Sequence, residues 1–209
     1  MSFPKQFTNA KEALIDYTKL KAVESTWYSS EHPVHFKQID EIIYEEMRFD
    51  CLQSLTVLDG TAHVGGFSLN WATAHPTHKI DSVELNKNTY DALVYNIRAL
   101  NLEKQIQPIH ADVNQIIRAA SEAQFDFVYL DAEWGGPEYK RHTDMHLFLG
   151  DRDVSLVVQE LLQRKITSIV FLKVPNNYDK TVFSKYTQYP ISREARKDPA
   201  FSILVIRTT

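Results

Sequence analysis

The chain has 209 residues, 44% apolar and 24% charged, enough for one full domain with its own core and unlike the composition of a disordered chain. Twenty-three basic against 27 acidic side chains leave a net charge of −4. That excludes a protein gripping long nucleic-acid tracts by phosphate neutralisation and leaves open recognition of one nucleotide or a cap. The single cysteine, Cys51, excludes a disulfide framework or a cysteine-built zinc site and reads as a small core residue. The absence of an 18-residue apolar run and of a signal-peptide core leads us to expect a reducing compartment, cytosol or nucleus.

Residues 1–50 are rich in Lys, Glu, Tyr and His and contain no clear strand. Ala10–Val23 reads as a helix with Leu14, Tyr17 and Leu20 on one face. Trp27–Pro33 reads as a loop, and Phe36–Phe49 as a second helix in which Ile39, Ile42, Ile43, Met47 and Phe49 roughly follow a 3.6-residue period. From Leu55 short apolar runs alternate with helical stretches. The runs are Leu55–Leu58, Ile80–Glu84, Ile106–His110, Phe125–Leu130 and Ser168–Leu172. The helical stretches are Phe67–Thr73, Lys87–Leu100, Asn114–Ala123 and Asp153–Arg164. Such alternation builds a parallel sheet with crossover helices. Tyr186–Glu194 and Phe201–Arg207 read as two strands joined by a turn at Lys197-Asp198-Pro199. An antiparallel hairpin closing a parallel sheet resembles the class I methyltransferase variant of the Rossmann architecture. The expected fold is therefore α/β, a mostly parallel Rossmann-like sheet with a C-terminal antiparallel hairpin. A small helical extension, residues 1–50, contributes to the site of the domain spanning 51–209.

Open α/β sheets bind ligands beyond the carboxyl ends of their strands, and four such ends here carry acids. The first strand ends in Asp59, followed by Gly60-Thr61-Ala62-His63-Val64-Gly65-Gly66, whose glycines permit a sharp turn and a close approach to a ligand. The spacing matches neither a dinucleotide fingerprint nor a phosphate-binding loop with its Lys-Ser/Thr. Glu84 ends the second strand, where an acid accepts ribose hydroxyls, and Asp112 follows the third, within reach of an adenine amine. Each acid alone reads equally as a helix cap or a loop residue; together they describe an acidic rim. That rim suits an adenosine carrying a cationic sulfonium and no phosphate, which is S-adenosylmethionine.

The fourth strand runs into Asp131-Ala132-Glu133-Trp134-Gly135-Gly136-Pro137-Glu138-Tyr139. This stretch resembles the trimethylguanosine synthase family of RNA cap guanine-N2 methyltransferases, which carries an acid or Ser, then Pro-Pro-Trp-Gly-Gly-Pro-x-Tyr. Asp59 with Val64-Gly65-Gly66, Trp27-Tyr28-Ser29-Ser30 and Val174-Pro175-Asn176-Asn177 are similar to three further family stretches, so the resemblance spans roughly residues 24–182. The length resembles stand-alone forms from large DNA viruses or protists. The resemblance implies that Asp59, Gly65 and Gly66 line the methionine part of the donor, with Gly60 and Thr61 in the same loop. It further implies that Glu84 binds ribose, that Asp112 binds adenine and that Trp134 stacks on a 7-methylguanine base. The positive charge of that base suits an indole face. Asp131 joins Trp134 at the chemistry, and Pro137, Tyr139, Lys140, Pro175, Asn176 and Ser29 complete the acceptor contacts. A Trp followed by Gly-Gly-Pro at a strand's carboxyl end is expected in an exposed loop. The implied partner is 7-methylguanosine-capped RNA or a cap nucleotide; neither a membrane nor a long nucleic-acid tract is expected.

Ala132-Glu133 stands where the family has Pro-Pro. The rigid φ of two prolines is lost and a carboxylate enters where a backbone carbonyl normally aims the exocyclic amine. Asp131 and Glu133 remain able to hydrogen-bond a guanine edge. Two alternatives stay open: a catalytically inactive methyltransferase-fold scaffold that binds a cap or a protein, and an RNA methyltransferase with another base target. His63 lies in the Gly-rich loop and can touch the donor. The pairs His32/His35 and His142/His146 have metal-like spacing, but the eight histidines read as scattered surface residues, and no metal is expected. Lys140, Arg141 and Lys173 are candidates for cap phosphates, whereas Arg193, Arg196 and Lys197 read as solvated.

Overall fold

A computed structural model of the protein describes residues 1–2, 14–24, 33–48, 53–192 and 201–208. Apolar runs of four to seven residues form the strands of one sheet: β1 (Thr56–Asp59), β2 (Lys79–Glu84), β3 (Ile106–His110), β4 (Phe127–Leu130), β7 (Ile169–Val174), β8 (Thr187–Ile191) and β9 (Phe201–Arg207). Their order is β3-β2-β1-β4-β7-β9-β8. The first five are parallel, and β9 runs antiparallel between β7 and β8. The helices are α1 (Pro33–Met47), α2 (Gly66–Ala74), α3 (Lys87–Ala99), α4 (Val113–Ala119) and α5 (Val154–Gln163). This is the expected Rossmann-like methyltransferase sheet, and each strand lies within two residues of its sequence-derived bounds except β8, which stops at Ile191.

Alternation along the buried strands divides the core. Phe127, Tyr129, Ile169 and Phe171 join Ile39, Ile43, Trp71 and Leu93 from α1, α2 and α3 on one face. Val128, Leu130, Val170 and Leu172 join Ile117, Val157 and Leu161 from α4 and α5 on the other. Helices on both faces explain why β4 and β7 are buried at every position rather than every second one. The described part of residues 1–50 buries Tyr17, Leu20, Phe36 and Ile39 into the first of these clusters.

Two local expectations fail, and one small element is unforeseen. The described part of Ala10–Val23 holds a single 3-10 turn, Tyr17–Lys19, with Leu14 exposed. The Asp16 carboxylate accepts from Thr18 N and Oγ1, an alternative to helix that short acidic side chains favour. Lys21 is then held extended, its N–H donating to Asn96 Oδ1 and its carbonyl accepting from Asn96 Nδ2 on α3. Helix α4 ends at Ala119 rather than Ala123, because Arg164 donates to the carbonyls of Ile117, Arg118 and Ala120 and caps it. A two-residue hairpin, β5 (Phe148–Leu149) with β6 (Arg152–Asp153), turns on Gly150 at φ +65° and is too short for periodicity to reveal. Cys51, Phe49 and the Lys197-Asp198-Pro199 turn lie outside the described residues.

Candidate active site

The carboxyl ends of β1, β2 and β4 bring Asp59, Glu84 and Asp131 together. Asp59 is buried. Its Oδ2 accepts from Ser68 Oγ at 2.5 Å and its Oδ1 from Thr61 N at 3.3 Å. Ser68 Oγ also lies 2.7 Å from Ser82 Oγ on β2, so one network ties the first loop to α2 and β2. Burial raises the Asp59 carboxyl to about 7, with the nearby Asp131 and Glu84 charges adding to the effect against the hydrogen bonds. Glu84 is also raised, chiefly by burial. Backbone N–H groups of Asn86, His63 and Leu85 oppose this, and Glu133 repels it. His63 sits in the loop at φ +51°, and burial lowers its imidazole to about 4, so it is neutral at pH 7. His63 therefore adds no cation to the rim at that pH.

Two of the loop glycines also meet a packing demand of the fold. Gly65 adopts φ +100° at the N-cap of α2, and a Cβ there would lie 2.8 Å from Leu69 Cγ and 2.9 Å from Leu93 Cδ1. A Cβ at Gly60 would meet Leu130 Cδ2 at 2.6 Å. Gly66 opens α2 and, with Asp59, Thr61, His63, Phe67 and Asp131, lines a cavity of about 10 Å³. Asp112 caps α4, its Oδ1 accepting from Asn114 N and Nδ2, so of the two readings for this acid the helix cap is observed. Beside Glu84, Leu85 is 62% exposed, an apolar surface that the sequence reading passed over. A larger cavity, about 460 Å³, lies at the amino end of β7, between α5, Phe183 and Ile206, away from these acids.

On the other side of β4, Asp131 N donates to Thr61 Oγ1 at 2.7 Å, joining the two loops. Asp131 Oδ2 accepts from Lys173 Nζ at 2.8 Å. Lys173 is buried on β7, so its expected role at cap phosphates gives way to this pair. Its ammonium stands 4.7 Å from the centre of the Phe201 ring and 5.8 Å from that of Trp134. Trp134 is half-buried rather than exposed, because its indole packs against both core clusters; the flanking Gly135 and Gly136 are exposed. Its ring meets Tyr139 edge-on at 5.1 Å and Phe201 at 6.2 Å, and its Nε1 is buried without a hydrogen-bond acceptor.

Pro137 and Tyr139 lie in the 3-10 turn Gly136–Arg141, which Asn177 Nδ2 anchors through the carbonyls of Tyr139 and His142. Lys140 is exposed beside the Tyr139 ring, and Arg141 pairs with Glu138 at 2.5 Å. Pro175 is buried and Asn176 exposed at the end of β7. Ser29, with Trp27, Tyr28 and Ser30, lies outside the described residues, as do His32, Arg193, Arg196 and Lys197. The histidines are not all superficial. His35 and His78 are buried, His35 edge-on to Phe201 and His78 accepting from Trp71 Nε1, because their rings fill aromatic layers of the core. His146 pairs with Asp153 at 2.8 Å. No metal-binding group of three His, Cys, Asp or Glu occurs among the described residues. None of the described helices is long and apolar enough to cross a membrane.

The donor set fits S-adenosylmethionine on chemistry. A carboxylate at the end of β2 is available for ribose hydroxyls, an apolar side chain lies beside it for a base, and the acid at the end of β1, Asp59, which has no ion-pair partner among the described residues, suits a sulfonium. Comparison with known proteins bears on this arrangement. Residues 54–198, well over half of the chain, match the family model for RNA cap guanine-N2 methyltransferases. The uncharacterized protein L320 of Acanthamoeba polyphaga mimivirus is 30% identical over 143 residues, covering 68% of this chain and 55% of its own, so the chain spans about half the length of that relative. The N-terminal domain of human METTL16 in complex with SAH superposes with a TM-score of 0.59 at 13% identity, covering 84% of this chain and 70% of that one. A human methyltransferase 10 domain containing protein superposes at 0.56 and 13% identity, covering 83% and 80%. At such identities these two structures share the fold.

Proposed function

The chain belongs to the RNA cap guanine-N2 methyltransferase family, whose methyl donor is S-adenosylmethionine, and from that premise we propose that it methylates N2 of guanine in a 7-methylguanosine RNA cap. The observation that carries this reading is the loop after β4. It sets an acid, Asp131, and an indole, Trp134, beside the acidic donor rim, and the indole N–H still lacks an acceptor.

The donor supplies an electrophilic methyl on a sulfonium. Glu84 would accept the ribose hydroxyls, Leu85 would cover a base face, and the Asp59 carboxylate would favour the cation. With a cavity of only about 10 Å³ behind them, these groups hold the nucleoside across the open rim. Trp134 clamps the 7-methylguanine, whose charge its face attracts by ~0.5–2 kcal/mol. Asp131 accepts a hydrogen bond from the exocyclic amine and turns the nitrogen lone pair towards the methyl; the proton that the methylated nitrogen sheds leaves to water at the open rim. Alignment of this kind can supply up to ~7–11 kcal/mol of the barrier reduction, so no strong base is needed.

Ala132 and Glu133 favour a second reading. Ala132 is buried and Glu133 is exposed at the rim facing Glu84, so a carboxylate replaces the rigid aiming segment. A scaffold that binds a cap without turnover follows from that loss. Radiolabelled methyl transfer from S-adenosylmethionine to 7-methyl-GTP and to GTP, with product mass, tests both. Label in 7-methyl-GTP alone supports the cap enzyme. Binding of 7-methyl-GTP without label supports the scaffold. Label in GTP or in uncapped RNA overturns the cap assignment.

A further inference from the structure

Lys173 occupies a place where the sheet calls for an apolar side chain. On β7, Ile169 and Phe171 face the α1–α3 side of the core, and period two puts residue 173 on the same face. On β4, Phe127 and Tyr129 face that side, and Asp131 continues the row. The register pairs Tyr129 with Phe171 and Leu130 with Leu172, so Asp131 and Lys173 are the next lateral neighbours. Two apolar columns therefore end, at the rim, in an ion pair whose side chains are 17% and 9% exposed. Replacing such a pair with apolar residues is often neutral or stabilising, so stability does not account for it. Its surroundings do: the same ammonium lies against Phe201 of β9 and Trp134, linking the acid, the indole and the sheet edge.

We infer that Lys173 is a positioning residue for the methyl acceptor, holding the Asp131 carboxylate and the Trp134 ring in one fixed relation. The inference rests on the methyl-transfer reading but not on the cap as the acceptor. An Asp131 without its partner has several rotamers facing the rim. With Lys173 its Oδ2 is anchored, and the Thr61 hydroxyl anchors its backbone N–H from the other side. Lys173 acts through Asp131 and Trp134 and touches no substrate phosphate.

The test is a cycle of wild type, Lys173→Met, Asp131→Asn and the double variant, with Lys173→Arg as the charge-keeping control. Each is assayed for labelled methyl transfer to 7-methyl-GTP, to 7-methylguanosine and to unfractionated cellular RNA. Donor affinity is measured by calorimetry and folding by melting. We expect Lys173→Met to lower kcat on the order of 100-fold, the cost of a misplaced reacting group. Donor affinity stays within about twofold. The double variant loses no more than the worse single variant, and Lys173→Arg retains part of the rate. If Lys173→Met does not fold, the double variant and Lys173→Arg carry the comparison. Losses that multiply in the double variant overturn the inference. So does a rise in KM alone that appears with 7-methyl-GTP and not with the nucleoside, which makes Lys173 a phosphate ligand. Wild type that labels RNA but not 7-methyl-GTP, with the label recovered outside the cap on nuclease digestion, defeats the cap reading, and the cycle is then read on RNA. Wild type that labels neither defeats both.

Discussion

The two halves of the site handle charge in opposite ways. On the β1–β2 side, Asp59 and Glu84 are buried or half-buried with no cation paired to them among the described residues; hydroxyls and backbone N–H groups solvate them, and burial and neighbouring carboxylates raise them. On the β4–β7 side, Asp131 has its own ammonium, and aromatic rings surround the pair. One half is left electrostatically incomplete, an arrangement that a cationic ligand would complete. The other is neutral in itself and offers shape: a half-buried indole with an unused donor, on a loop whose glycines are exposed. A site that binds a sulfonium on one side and a flat base on the other has use for this division.

The largest effect that sharpens the contrast is expected at Asp59. Its folded carboxyl titrates at about 7 against 3.8 unfolded. Between those values the unfolded chain has released a proton that the folded chain keeps. Stability therefore falls as pH rises from about 4 to 7 and is flat above. Asp59→Asn removes that slope and stabilises the ligand-free protein at pH 8 by a few kcal/mol at most, about 1.4 kcal/mol per pKa unit. Donor affinity rises with pH towards 7 in the wild type and becomes flat and weaker in the variant. Melting curves and calorimetry from pH 4 to 8 check both. An unchanged slope in Asp59→Asn breaks the picture of an incomplete donor half.

Next comes Trp134→Ala. Loss of the ring should cost ~1–3 kcal/mol of 7-methyl-GTP affinity while leaving donor affinity unchanged, as titration of each ligand will read. Equal losses for both ligands would mean that the two halves are not separate. The smallest effect is expected for Lys140→Ala. This exposed cation beside Tyr139 should change 7-methyl-GTP affinity by less than about 1 kcal/mol, and the change should vanish in high salt.

Which parts were legible beforehand follows the same division. The donor half could be read because its clues are local. An apolar run ending in an acid, then a Gly-rich turn and a helical period, identifies β1, Asp59 and α2 within nineteen residues. The acceptor half was legible as a motif but not as an environment. Trp134 reads as exposed from Gly-Gly beside it, yet contacts from both core clusters hold it half-buried. Lys173 reads as a phosphate ligand because its partner lies 42 residues earlier in the chain. The Ala10–Val23 helix fails similarly, since Asn96, 75 residues beyond Lys21, holds that segment extended.

The amino-acid order by itself determined the alternation of strands and helices, the acids at the strand ends and the Trp-Gly-Gly loop, because periodicity and turn chemistry act over a few residues. Tertiary structure alone decided which charges meet, how deep the indole sits and which acid caps a helix. Those outcomes depend on strand register and on side chains from distant elements sharing one buried space, where a charge is paired, hydrogen-bonded or pushed towards its neutral form.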